Sequence, residues 1–278
     1  MKERKLKKRT LKENPAIVIA AFGTTSRGKA AYDLFDKKVR ERYPTYEIQW
    51  AYTSEIIREK TGTPGILQAL AQLENSGYRK AIIQPLQIFP GTEYHELIET
   101  SRSFPGMRIV AGETLLHRWQ YVHEVFALVA ASFLKIDEGF NIIVAHGTPL
   151  CTDPANILYL SLESYINQRF SNTFFATVDG FPDKAHSLSK LFAHTNAEKR
   201  KNVRLIPFMF ISGLHFEHDL MGDNDSFKSA LQSKGYQVEC LSVTHENQVY
   251  SKGLGFYDGI PELFLNRIER AMSLMEVY

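Results

Sequence analysis

Gln84-Pro85-Leu86-Gln87-Ile88-Phe89-Pro90-Gly91-Thr92-Glu93 and Ile206-Pro207-Phe208-Met209-Phe210-Ile211-Ser212-Gly213-Leu214-His215 run in step. Pro85 falls on Pro207, Gly91 on Gly213, and an ionisable residue, Glu93 or His215, stands two places after each glycine. Each stretch reads as an apolar strand closed by glycine, the residue that turns a backbone at least steric cost, with a helix opening at the acid or the imidazole. Two more blocks repeat in the same order. Ile19-Ala20-Ala21-Phe22-Gly23-Thr24 answers to Ile143-Val144-Ala145-His146-Gly147-Thr148, and Ala51-Tyr52-Thr53-Ser54 to Ala176-Thr177-Val178-Asp179. The offset stays between 122 and 125 positions over all three blocks, as in a duplicated unit whose elements keep their order.

Outward from these blocks, β-branched runs alternate with amphipathic stretches, the pattern of parallel α/β sheets. Strands are predicted near 16–22, 46–52, 80–88 and 107–112, then near 141–146, 172–178, 203–211 and 236–242. Helices are predicted over 28–42, 64–75, 119–133 and 157–170, where apolar residues recur at three- and four-residue steps. The fold class is therefore α/β, with two duplicated domains, each a parallel sheet flanked by helices. We place them at 15–135 and 136–278, behind a basic, disordered tail at 1–14.

The chain has 278 residues, 44% of them hydrophobic, enough for two cores of ordinary size. Lys plus Arg (33) nearly balance Asp plus Glu (31), so there is no overall positive field of the kind that captures nucleic acid. Lys2, Arg4, Lys5, Lys7, Lys8, Arg9 and Lys12 make the tail basic, but the apolar run after it, 16–22, is only strand length and leads into Gly23-Thr24-Thr25. That is a solvated tail before a first strand, not a signal peptide. No run approaches the roughly 20 apolar residues that span a bilayer, so no membrane partner is expected. Cys151 and Cys240 form no Cys-x-x-Cys pair, which points to a reducing cytoplasm without disulfides.

Ligands of open α/β sheets bind outside the carboxyl ends of the strands. The polar residues there are Ser54 and Glu93 in the first half and His146, Asp179 and His215 in the second. Two imidazoles and a carboxylate suit a borderline divalent ion such as Co²⁺, Ni²⁺, Fe²⁺ or Zn²⁺ with positions left open for a substrate. Each residue also has an ordinary reading. His146 after an apolar strand can be a hydrogen-bonded structural residue, Asp179-Gly180 is a turn signal, and Glu217 and Asp219 beside His215 favour a helix amino terminus. No phosphate loop, dinucleotide fingerprint or nucleophile elbow occurs in the chain, so nothing points to a nucleotide.

Five segments together resemble the anaerobic sirohydrochlorin cobaltochelatases of the CbiK type, the class II chelatases. They are Ala21-Phe22-Gly23-Thr24, Gly91-Thr92-Glu93-Tyr94, Ala145-His146-Gly147, Ser212-Gly213-Leu214-His215, and Met221-Gly222-Asp223-Asn224-Asp225-Ser226-Phe227-Lys228. The resemblance implies a chelatase-like fold with the tetrapyrrole in the cleft between two domains, and metal-ligating histidines at His146 and His215. It places a catalytic glutamate at Glu93, and at Asp179 an acidic ligand one methylene shorter than the family's usual Glu. Phe22, Gly23, Thr24, Gly91 and Gly213 are the positions expected against the macrocycle. The implied reaction inserts Co²⁺ into sirohydrochlorin without ATP, with Fe²⁺ and Ni²⁺ as competing metals. Arg27, Lys29 and Arg58 are candidates to meet the substrate's carboxylates, and a homo-oligomer is the expected assembly. Two rival readings use the same residues differently. One is a haem or tetrapyrrole carrier with axial ligands from His95 and His218, and the other is a store of divalent metal.

Overall fold

The computed structural model describes residues 10–277, apart from the side chains of Leu214 and His215. Residues 1–9 of the expected tail thus lie outside the described residues, and within 10–14 the Lys12 N–H donates to the Gly77 carbonyl at 3.1 Å. The first half runs β1 (Ala16–Ala21), α1 (Lys29–Arg42), β2 (Ile48–Tyr52), α2 (Glu55–Thr61), α3 (Ile66–Asn75), β3 (Lys80–Pro85), α4 (Thr92–Arg102), β4 (Arg108–Ala111), α5 (Trp119–Val129). The second runs β5 (Phe140–Gly147), α6 (Ala155–Arg169), β6 (Thr173–Asp179), α7 (Lys184–Phe192), β7 (Asn202–Pro207), α8 (Leu214–Met221), α9 (Phe227–Gln232), β8 (Gln237–Cys240), β9 (Ser242–His245), β10 (Gln248–Ser251), α10 (Gly259–Val277).

Two parallel sheets result, ordered β2-β1-β3-β4 and β6-β5-β7-β8. Their registers repeat as well as their order: Pro85 lies opposite Ala20 as Pro207 lies opposite Val144, and Tyr52 opposite Ala21 as Thr177 opposite Ala145. In each sheet the connections run to opposite sides of the first strand. The switch points are therefore β1/β3 and β5/β7, where the crevice for a ligand opens.

Alternation along the strands assigns the faces. Ile17, Ile19 and Ala21 enter one core while Ala16, Val18 and Ala20 enter another, and both faces being covered is why β1 is apolar at every position. The largest core is shared by the halves: Ile17 and Ile19 of the first sheet and Ile143 and Phe175 of the second meet α1, α5, α6 and α10 there. α10 follows the second half in sequence, yet its Ala271 and Met275 pack on Ile82 and Val110 of the first sheet. In space this helix belongs to both halves.

The predicted strands 80–88 and 203–211 end early, at Pro85 and Pro207. After one more backbone bond each, Leu86 to Ala20 at 2.8 Å and Phe208 to Val144 at 2.7 Å, the chain leaves the sheet. Leu86, Ile88, Phe208 and Phe210 are nonetheless buried, so apolarity there marks a buried loop and not a strand. The β9–β10 hairpin, which the pattern did not suggest, turns on Glu246 and Asn247, both left-handed (φ 47° and 62°). That is the conformation of a two-residue hairpin turn, without the usual Gly to signal it. Among the described residues no helix is long and apolar enough to cross a membrane.

Candidate active site

β5 ends in His146-Gly147 and the neighbouring β6 in Asp179, with Gly147 paired to Asp179. Gly147 has φ +84°, and a Cβ on it would stand 1.7 Å from the Asp179 carbonyl oxygen. Only glycine lets the two strand ends approach so closely. The approach leaves His146 Nδ1 3.7 Å from Asp179 Oδ2 and 3.3 Å from the Gly147 carbonyl oxygen, with 64% of the imidazole and 49% of the carboxylate open to solvent. An exposed imidazole beside an exposed carboxylate, held by backbone pairing, is a donor pair able to take a divalent ion. Among the described residues no cluster of three or more His, Cys, Asp or Glu is arranged to hold a metal. The third expected ligand, His215, is the second residue of α8, and its side chain lies outside the described residues.

Glu93 stands in the first turn of α4, after the buried loop that leaves β3. Its carboxyl is reachable by solvent but ringed by protein, and that desolvation raises its pKa above the ordinary carboxyl range. Gln87, whose amide atoms lack a hydrogen-bond partner of good geometry, and the charge of His146 both oppose the rise, while Glu96 and Asp153 add to it. His146 of the second half thus belongs to the surroundings of Glu93 of the first. Tyr32 and Tyr159 belong to the same surroundings: burial raises both phenols, and the negative charge of Glu93 contributes to each.

The other expected positions divide. Phe22 projects into solvent, 54% exposed, at the carboxyl end of β1. Gly23 is required by the turn, with φ +95° and the Tyr52 ring 2.7 Å from where its Cβ would be. Thr24 is buried, its hydroxyl bonded to Ser26 Oγ at 2.8 Å and accepting from the Ser26 N–H, so it fastens its own loop. A Cβ on Gly91 would lie 2.9 Å from Asp153 Oδ1, which turns that position toward the opposite half. Gly213 has open space where a Cβ would be. Of the three cationic candidates, Lys29 pairs with Asp33 and Arg58 lies over Gly65. Arg27 alone reaches across, to Glu217 at 3.5 Å. His95 and His218, the axial candidates of the carrier reading, are both exposed. Sequence reasoning passed over Gln87, Tyr32, Tyr159 and Asp153. Only Asp153 carried a signal, an Asp-Pro pair at a helix start.

Three solved structures share this fold. SirB from Bacillus subtilis with Fe³⁺ aligns over 95% of this chain and 97% of its own, with a TM-score of 0.62 at 13% identity. CbiX, described as the terminal enzyme for biosynthesis of siroheme in denitrifying bacteria, aligns over 93% and 99% with a TM-score of 0.51 at 15% identity. DR2241 from Deinococcus radiodurans, a multi-domain protein with structural similarity to chelatases, aligns over 91% of this chain and 54% of its own with a TM-score of 0.56 at 11% identity. The fold is that of the chelatases. The family model for cobalt chelatase (CbiK) matches residues 15–273, and the chain belongs to that family. A curated relative, sirohydrochlorin cobaltochelatase CbiKC of Nitratidesulfovibrio vulgaris (strain Hildenborough), is 29% identical over 274 residues, 94% of this chain and 91% of its own.

Proposed function

We propose that the protein is a cytoplasmic, ATP-independent chelatase that inserts Co²⁺ into sirohydrochlorin in the cleft between its two halves. The reaction exchanges one divalent ion for two pyrrole protons, so it needs ligands that hold and release the ion and a base that takes protons at the ring. His146, Asp179 and His215 are the proposed metal-holding groups, all at strand ends of the second half. Glu93, from the first half, is the proposed proton acceptor, and its raised pKa makes it a stronger base than an ordinary carboxylate.

The observation that carries this reading is the pairing of His146 with Asp179 at 3.7 Å, in the half whose Asp153 bonds at 3.3 Å to Thr92 beside Glu93. Metal donors and a desolvated base converge there from opposite halves. Phe22 supplies an exposed aromatic face for the macrocycle and Arg27 a half-exposed cation for its carboxylates. Anaerobic single-turnover spectroscopy of sirohydrochlorin with Co²⁺, Fe²⁺ and Ni²⁺ tests the proposal. Insertion of Co²⁺ faster than the uncatalysed rate and faster than the other two metals is expected. Tight macrocycle binding without any acceleration would replace the chelatase reading by the carrier one.

A further inference from the structure

Asp153 lies in the loop between β5 and α6, two residues before Ala155 opens α6. Its Oδ1 accepts the Ala155 N–H at 2.9 Å, and the same oxygen accepts the N–H of Thr92 at 3.3 Å, 61 residues away in the other half. Thr92 is the residue immediately before Glu93. Gly91 completes the contact, because any Cβ there would press on Asp153 Oδ1 at 2.9 Å and on the Ala155 Cβ at 3.3 Å. A single carboxylate thus bonds the first turn of α4 from the loop that follows β5, the strand of the proposed ligand His146, and glycine is what lets it come close.

The duplicated position on the other side of the cleft is built differently. There the β1–α1 loop meets α8 through Arg27 and Glu217, 3.5 Å apart with Arg27 half exposed, and Gly28 stands against the Ser212 carbonyl of the β7–α8 loop. A surface ion pair of that kind restrains two loops only weakly. The Glu93 side is linked instead by a carboxylate that bonds directly to backbone.

We propose that Asp153 is a positioning residue for the insertion reaction, holding Glu93 in register with His146 through the backbone of Thr92. The role of Glu93 as proton acceptor rests on the proposed function above, whereas the link from Asp153 to α4 does not. A residue that only caps α6 would affect stability, but would not separate kcat from KM.

The test compares wild type, Asp153→Ala, Asp153→Asn and Gly91→Ala in anaerobic steady-state insertion of Co²⁺ into sirohydrochlorin, together with amide hydrogen exchange of each apoprotein. Loss of a charge-assisted bond predicts that Asp153→Ala lowers kcat roughly tenfold while KM for the macrocycle stays within about twofold. Asp153→Asn, which keeps an acceptor oxygen, recovers most of the loss. Gly91→Ala, which crowds that oxygen, reproduces the alanine variant without touching the carboxylate. Exchange of the amides at 92–95 accelerates in Asp153→Ala and Gly91→Ala and not in Asp153→Asn. Unchanged kcat in Asp153→Ala, equal losses in Ala and Asn, or unchanged exchange at 92–95 would each overturn the proposal. If the wild type inserts no metal, the chelatase reading falls with the part given to Glu93, and hydrogen exchange alone then decides whether Asp153 holds α4.

Discussion

The two halves share strand order, register and the glycines that close their strands, yet they differ at the three positions that matter for chemistry. Where the second half has His146, Asp179 and His215, the first has Phe22, Ser54 and Glu93. On the proposed reading, one half presents metal donors and the other an aromatic face and a desolvated base. The repeated sheets offer two equivalent crevices, and the proposal assigns them different tasks through the residues at their strand ends. Because the strand ends lie outside the cores, the side chains there can change with little effect on packing.

Substitutions in each half test this division. The halves are predicted to be chemically distinct but mechanically one body, since Phe264 of α10 is fully buried in the shared core against Phe35 of the first half and Phe210 of the second. Phe264→Ala is expected to cost about 3–5 kcal/mol, with both halves still melting in one transition. Calorimetry showing two separate transitions would contradict a common core. His146→Ala is expected to weaken Co²⁺ binding by about a hundredfold, at or above the upper end of what losing an outer partner of a metal ligand costs. Asp179→Ala should weaken it by roughly tenfold, as fits an exposed carboxylate 3.7 Å from the imidazole. The mirror substitution Ser54→Ala should leave Co²⁺ affinity unchanged, because the first half is not assigned metal binding. Isothermal titration of the apoprotein measures all three.

A smaller effect concerns how α10 is tied to the first half. Glu113 is partly buried, which alone would raise its pKa, but hydrogen bonds from Arg118 and Tyr121 outweigh that desolvation and hold it below the usual carboxyl range. Arg270 of α10 reaches the same carboxylate at 3.5 Å. A carboxyl whose pKa is lowered by folding stabilises the fold above its unfolded value, near 4.3, and ceases to do so as pH falls through the folded value. Glu113→Gln is therefore expected to lower stability by roughly 1–2 kcal/mol at pH 7, with the gap to wild type closing in acid. Urea melts at pH 7 and pH 3 check the sign.

Much of this was legible in the chain because duplication leaves the same punctuation twice. Pro85 with Pro207 and Gly91 with Gly213 fixed the repeat, and the sheets reproduce it down to the register of those prolines. The loop residues 86–88 and 208–211 read as strand in the sequence, since a buried loop and a buried strand are equally apolar. Thr24 and Gly91 sit in motif segments, which suggested contact with the macrocycle. The structure gives Thr24 a hydroxyl bonded within its loop and Gly91 a neighbour in Asp153. Asp153 itself was illegible as a partner of Thr92, because a hydrogen bond between residues 61 positions apart leaves no local pattern.

The central claim, that the second half holds the metal while the first takes the protons, is tested most directly by measuring Co²⁺ affinity and single-turnover insertion in Glu93→Gln and His146→Ala side by side. The account predicts that Glu93→Gln binds Co²⁺ like wild type and inserts it about 10²- to 10⁴-fold more slowly, the usual loss on removing a general base. His146→Ala loses affinity first and regains rate as Co²⁺ is raised. A Glu93→Gln protein that loses Co²⁺ affinity as severely as His146→Ala would contradict the division, and would place Glu93 among the metal ligands.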